Sequence, residues 1–176
     1  MKKQIDVLEY AGQICKAVQK GVLLTTKAGD QVNTMTIGWG TLGVQWNRPV
    51  FIAYVRDSRY TKQFLDQTGE FTINIPLDSV DSRTLTYCGR NSGRDTNKIK
   101  DMGLTLVQGD YVDVPAIAEF PLTLECKVIY QQAQQLDGLP EDIVSRFYPI
   151  CDENDTGDFH IAYYGEIHAA YILDFK

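Results

Sequence analysis

The chain has no Cys-x-x-Cys pair, only two histidines and no apolar run long enough to cross a membrane as a helix. Each shortage removes a class of function. Cys15, Cys88, Cys126 and Cys151 are scattered, which excludes a zinc ribbon and a thioredoxin-type redox pair. Such usage suits a reduced, cytoplasmic chain. His160 and His168 lack Cys, Asp or Glu partners at zinc-ligating spacing, so no metal is expected. Asp152-Glu153-Asn154-Asp155 has calcium-loop charge without EF-hand spacing and reads as a solvated turn. Met1-Lys2-Lys3-Gln4 runs into a mixed amphipathic segment rather than a charged-then-apolar leader, so neither a signal peptide nor a membrane role is expected. Positive charge is also short, with 17 Lys and Arg against 23 Asp and Glu and a net charge of -6. That balance speaks against nucleic acid. It leaves room for one local basic pocket that holds a small anion.

What is present fits a single domain over residues 1–176. The chain is 44% hydrophobic and 23% charged, ordinary values for a globular protein with a sizeable core. Val7, Leu8, Ala11, Ile14, Cys15 and Val18 fall at helical spacing, predicting a helix over about 5 to 19 that Gly21 ends. Val22 to Lys27 and Gln31 to Gly40 read as two strands of a hairpin about Ala28-Gly29-Asp30. Val50 to Val55 is a further strand. Ser58 is the expected N-cap of a short helix that Gly69 closes. Phe71 to Ile75, Leu104 to Val107, Leu122 to Gln131 and His160 to Leu173 complete the strands. Asp95 is read as the N-cap of a helix ending near Met102-Gly103, and another short helix is placed around Asp142 to Phe147. Many strands and few helices predict a mainly β fold, an antiparallel barrel with peripheral helices.

Three segments carry candidate chemistry. Gly38-Trp39-Gly40-Thr41-Leu42-Gly43 matches G-x-G-x-x-G, but a dinucleotide site needs that pattern to open a helix. Pro49 follows too soon for one, and Leu42 to Trp46 reads as extended. On the strand itself, Met35, Ile37 and Trp39 point one way, while Thr34, Thr36, Gly38 and Gly40 form a small, bare row. A flat ring such as an isoalloxazine can approach the backbone along that row, with Trp39 beside it. A barrel strand with a core Trp and two glycines at a bend is the other reading. Ser58-Arg59-Tyr60-Thr61 sits at a helix start, with Arg56 nearby. Unsatisfied N–H groups, hydroxyls and guanidinium suit a phosphate there, and an ordinary cap with solvated arginines is the alternative. Cys88-Gly89-Arg90-Asn91-Ser92-Gly93-Arg94-Asp95 with Lys98 is a basic, glycine-containing loop, either anion-binding or simply surface. Cys88 reads as a buried structural thiol. The Glu166/His168 pair shares a strand face with His160, read as a solvated outer face rather than a proton shuttle.

Together these segments resemble the flavin-reductase-like FMN-binding split-barrel family, which includes flavoredoxins. The matching stretches are Asn33 to Gly40, Val55 to Thr61, Glu70 to Asn74, and Cys88 to Asp95 with Lys98, in that order and spacing. The resemblance implies a Greek-key split β-barrel that pairs as a homodimer and binds FMN. It implies that Asn33, Met35, Thr36, Ile37, Gly38, Trp39, Gly40 and Thr41 lie along the ring. Ser58, Arg59, Tyr60 and Thr61 would take the phosphate, while Cys88, Ser92, Arg94 and Lys98 close the ribityl-phosphate end. Tyr163 is the implied late-strand aromatic near the flavin. NAD(P)H is the implied electron donor, and free flavin or a redox protein the acceptor. An FMN-binding electron carrier with no NAD(P)H turnover is the alternative. The cofactor carries the hard chemistry, so no catalytic side chain is nominated.

Overall fold

The computed structural model describes residues 1–77, 82–152 and 157–174. Among these residues ten strands and five α-helices follow one another. The strands are β1 (Lys2–Gln4), β2 (Val22–Ala28), β3 (Gln31–Ile37), β4 (Gly40–Gln45), β5 (Arg48–Arg56), β6 (Glu70–Ile75), β7 (Leu106–Val107), β8 (Ala116–Ile117), β9 (Leu122–Ala133) and β10 (His160–Leu173). The helices are α1 (Ala11–Lys20), α2 (Tyr60–Thr68), α3 (Ser82–Arg90), α4 (Lys98–Asp101) and α5 (Glu141–Phe147).

One antiparallel sheet organises the molecule, in the order β3-β2-β6-β9-β10-β5-β4, with β1 added on β10. The two outermost strands, β3 and β4, are neighbours in sequence, separated by only Gly38 and Trp39. Crossing seven strands takes six steps of about 4.8 Å, so a flat sheet would hold its edges roughly 29 Å apart. Three Cα–Cα links span about 11 Å at most. The sheet must therefore curl until its edges meet. No ladder joins β3 to β4, so the curled sheet stays split at that seam. This is the expected mainly β, antiparallel split-barrel architecture with peripheral helices.

The interior is filled by alternate residues of the strands. Val22, Leu24, Phe51, Val55, Phe71, Ile73, Leu124 and Tyr163 share one cluster with Ile14 and Val18 of α1. Burying such a side chain contributes roughly 1.5–3 kcal/mol. A second, polar layer crosses β2, β3 and β6. Asn74 Nδ2 donates to Thr25 and Thr72, Thr25 meets Thr34 at 3.0 Å, and Asn74 Oδ1 accepts from Ile117 N–H. These buried groups satisfy one another, as burial requires.

Several expected boundaries move. α1 starts at Ala11, because Asp6 Oδ1 accepts from Leu8 N–H and a turn forms before the helix. β3 stops at Ile37 rather than Gly40, and Gly40 begins β4. Ser58 is not the N-cap of α2; Arg59 is, with Gly69 left-handed at the C-cap as expected. Asn97 replaces Asp95 as a cap, its side chain accepting from Lys100 N–H. Cys88, Gly89 and Arg90 belong to α3, so the basic loop begins at Asn91. Leu104 to Val107 shortens to Leu106–Val107. Of the acidic turn Asp152 to Asp155, residues 153–155 lie outside the described residues.

Candidate functional site

Two clefts open along the seam and meet. The first, about 180 Å³, is lined by Met35, Thr36, Ile37, Gly38, Trp39, Tyr54, Arg56, Arg59 and His160. The second, about 130 Å³, is lined by Met35, Ser58, Arg59, Tyr60, Thr61, Arg90, Asn91, Ser92, Gly93, Arg94 and Lys98. Met35 and Arg59 line both, so the two form one groove with unlike ends.

The first end is aromatic and bare. Where β3 gives way to β4, Trp39 leaves the core and is 42% exposed. Its ring packs 4.9 Å from His160 and 5.1 Å from Phe147. A Cβ on Gly38 would meet no atom within 4 Å, so this backbone is open to a flat ligand. Gly40 is different, and here the expected bare row fails. A Cβ there would lie 2.5 Å from Phe51, so Gly40 serves core packing. Thr41 is exposed and meets the Tyr54 hydroxyl at 3.2 Å, beside the cleft rather than in it.

The second end is cationic. Arg59, Arg90, Arg94 and Lys98 line it, and among the described residues no carboxylate does. In a chain of net charge -6 that concentration is local. Arg59 caps α2 and donates to Gly89 O at 2.9 Å, tying the start of α2 to the end of α3. Arg94 stacks over Tyr60 at 5.1 Å. A Cβ on Gly93 would collide with Asn33 and Tyr60, so glycine lets the loop close onto β3. Lys98 is buried and donates to Thr34 O at 2.9 Å and Cys88 O at 3.0 Å. An ammonium has a third hydrogen to give. Burial lowers its pKa to about 8, with the Arg59 charge pushing the same way.

Other expected site residues are engaged with partners inside the protein. Asn33 is buried and donates to Thr61 Oγ1 at 2.7 Å, holding β3 to α2. Thr36 donates to Leu85 O at 2.6 Å. Ser58 lines the cationic end, but its hydroxyl and N–H are already given to the Asp158 carboxylate at 2.9 and 3.0 Å. Ser92 accepts from Arg94 N–H, which leaves its hydroxyl proton available. Cys88 lines neither half; it is fully buried, and burial raises its thiol pKa. Tyr163 is also fully buried, in the barrel core, and its hydroxyl donates to Asp66 at 2.7 Å. It faces away from the groove that it was expected to line.

Six lining residues were not among the nominated cofactor contacts: Tyr54, Arg56, Arg90, Asn91, Gly93 and His160. His160 pairs with Arg56 across β10 and β5, so it lands at the seam. The pairing of β10 with β5 runs without a register shift from His160↔Arg56 to Glu166↔Val50, so His160 is set apart by its place at the start of the strand, well away from Glu166 and His168. Those two do occupy an outer surface, where Glu166 accepts from Arg48 at 2.8 Å. A larger cleft of about 430 Å³ adjoins the cationic end, but Asp30 and Asp95 line it and Trp39 does not.

The groove fits FMN on its own chemistry. A phosphate needs the cationic end, a flat heteroaromatic ring needs the bare Gly38-Trp39 end, and the halves connect. The family model for the flavin reductase like domain matches residues 16–172. The flavoredoxin of Desulfovibrio vulgaris (Miyazaki F) superposes with a TM-score of 0.66 at 26% identity, over 88% of this chain and 69% of that one. The flavoredoxin of Methanosarcina acetivorans gives a TM-score of 0.64 at 26% identity, over 88% and 68%. An uncharacterized protein of Archaeoglobus fulgidus is 30% identical over 57% of this chain, which spans 55% of that relative's length.

Proposed function

The chain belongs to the flavin reductase-like family, and from that premise we propose an FMN-binding oxidoreductase of the flavin reductase type. The observation that carries this reading is the joining of an exposed Trp39 end to a four-cation end through Met35 and Arg59. Bound FMN supplies the hydride and electron chemistry that no side chain here provides. Arg59, Arg94 and Lys98 neutralise the phosphate, and the N-terminal amides of α2 add partial positive charge. Trp39 and Ile37 exclude water beside the ring. NAD(P)H is the proposed electron donor, and free flavin or a redox protein the acceptor.

A visible spectrum of the purified protein tests the cofactor. Yellow protein, or colourless protein that takes up added FMN, is expected; failure to bind FMN ends this reading. Anaerobic mixing of the FMN complex with NADH and then NADPH tests the donor, with bleaching of the flavin expected for at least one. A second reading is an electron carrier reduced by neither nucleotide, favoured by the likeness to two flavoredoxins.

The working unit is proposed to be a cytoplasmic homodimer. Among the described residues no helix is long and apolar enough to cross a membrane. Val44 and Trp46 are exposed on the β4–β5 hairpin, with Trp46 6.4 Å from exposed Tyr130, an apolar surface suited to a second copy. Light scattering on the eluting protein gives the mass of the unit.

A further inference from the structure

The aromatic end of the groove contains a titratable group to which the flavin reading assigns no task. His160 opens β10 and lines the cleft beside Trp39. Its Nδ1 is 2.8 Å from the Tyr148 hydroxyl. That hydroxyl donates to Gln134 Oε1, also at 2.8 Å. A phenol has one proton to give. With that proton on Gln134, Tyr148 can only accept from His160, so Nδ1 carries the hydrogen. In a neutral imidazole the other nitrogen is then a lone-pair acceptor.

The surroundings keep this arrangement. Tyr148 is 2% exposed, and the Arg56 guanidinium lies 5.3 Å from its ring centre. Arg56 is itself tied to Phe147 O and Asp158 O at 2.9 and 3.0 Å. Burial raises the Tyr148 pKa, so it stays a phenol. Burial, then the charge of Arg56, lowers the His160 pKa to about 4, against the pull of Asp158, so the ring is neutral at ordinary pH. Among the described residues nothing donates to Nε2 of His160.

We propose that Tyr148 is a positioning residue. With Gln134 it fixes His160 in the Nδ1-protonated tautomer, so that Nε2 accepts a hydrogen bond from an amide-type N–H of the heteroaromatic ligand in the cleft. That N–H belongs either to the imide of the flavin ring or to the carboxamide of a nicotinamide. The identity of the ligand rests on the FMN reading; the tautomer does not.

Nitrogen-15 NMR of the FMN-free protein reads the tautomer directly, and His168 is the sole other histidine in the spectrum. The expected signature for His160 is a protonated Nδ1 and a bare Nε2. Gln134→Leu frees the Tyr148 proton to turn onto Nδ1 and should move the hydrogen to Nε2. Gln134→Glu keeps an acceptor and should restore the wild-type signature. Tyr148→Phe removes the relay and should leave a mixture of tautomers. In Gln134→Leu, where Nε2 no longer accepts, the loss of one neutral hydrogen bond should weaken ligand binding by about three- to tenfold. A weaker FMN Kd with an unchanged KM for NAD(P)H assigns the flavin imide, and the reverse assigns the nicotinamide. A protonated Nε2 in the wild type overturns the proposal. So does a tautomer change in Gln134→Leu that leaves both constants untouched. A protein that binds no FMN but shows the expected tautomer defeats the FMN reading alone.

Discussion

The two ends of the groove are built by different means. The cationic end is assembled from side chains on α2, the loop after α3 and α4, several of them already engaged with backbone carbonyls. The aromatic end is made by topology: the sheet curls until its edges meet, and the two-residue joint between β3 and β4 exposes Gly38 and turns Trp39 outward. In the proposed reading the first end would supply affinity through charge. The second would supply a bare, aromatic surface for a flat ring. Affinity for the phosphate and placement of the ring should therefore respond separately to mutation.

Arg59→Ala should break the cationic end most. Charge-assisted hydrogen bonds are worth about 1.5–3 kcal/mol, so FMN affinity should fall by roughly ten- to a hundredfold in a fluorescence titration. An unchanged Kd removes Arg59 from the phosphate site.

Gly40→Ala and Gly38→Ala sharpen the contrast between core and cleft. Overpacking against Phe51 should cost Gly40→Ala about 1–3 kcal/mol in urea unfolding. Gly38→Ala has room for its methyl group and should unfold near the wild-type midpoint while binding FMN more weakly. Equal stability losses would show that both glycines serve packing. Trp39→Ala should raise the FMN Kd by about three- to tenfold, since an aromatic pair is worth about 0.5–1.5 kcal/mol beyond its area. An unaltered Kd would place the ring elsewhere.

Lys98 gives the cationic end a pH dependence. Its pKa in the folded protein is about 8, below the ordinary 10.5. A bound phosphate favours the charged ammonium, so the complex holds that proton to higher pH than the free protein does. FMN affinity should therefore be greatest below about pH 8 and fall above it, by at most about tenfold per pH unit for one proton. Lys98→Met should flatten the profile across pH 7 to 9; a wild-type profile that is already flat contradicts the placement of Lys98. Stability runs the other way. The unfolded chain binds the extra proton between about pH 8 and 10.5, so this group's contribution to folding rises with pH through that window.

Much of the fold was legible because apolar and β-branched runs bounded by turn residues survive as single strands: β2, β6 and β10 fall where those runs place them. The cationic end was legible as a cluster for a similar reason, since Ser58 to Thr61 and Ser92 to Lys98 are compact runs of donors that line one cleft. Contacts that depend on long-range register were not. His160 reaches the seam through its pairing with Arg56, more than a hundred residues away. Tyr163 lies three residues farther on β10, on the core side of the same strand. Ser58 is turned aside by Asp158, a partner no local motif announces. β4 hid within a glycine pattern that looked like one strand running on from β3.

The central claim is that one groove holds FMN, with its phosphate at Arg59 and its ring at Trp39. Titrating wild type and Arg59→Ala with FMN and with riboflavin, which lacks the phosphate, tests it most directly. The wild type should prefer FMN, and Arg59→Ala should lose most of that preference while keeping its affinity for riboflavin. An equal loss for both ligands, or none for either, would contradict the placement.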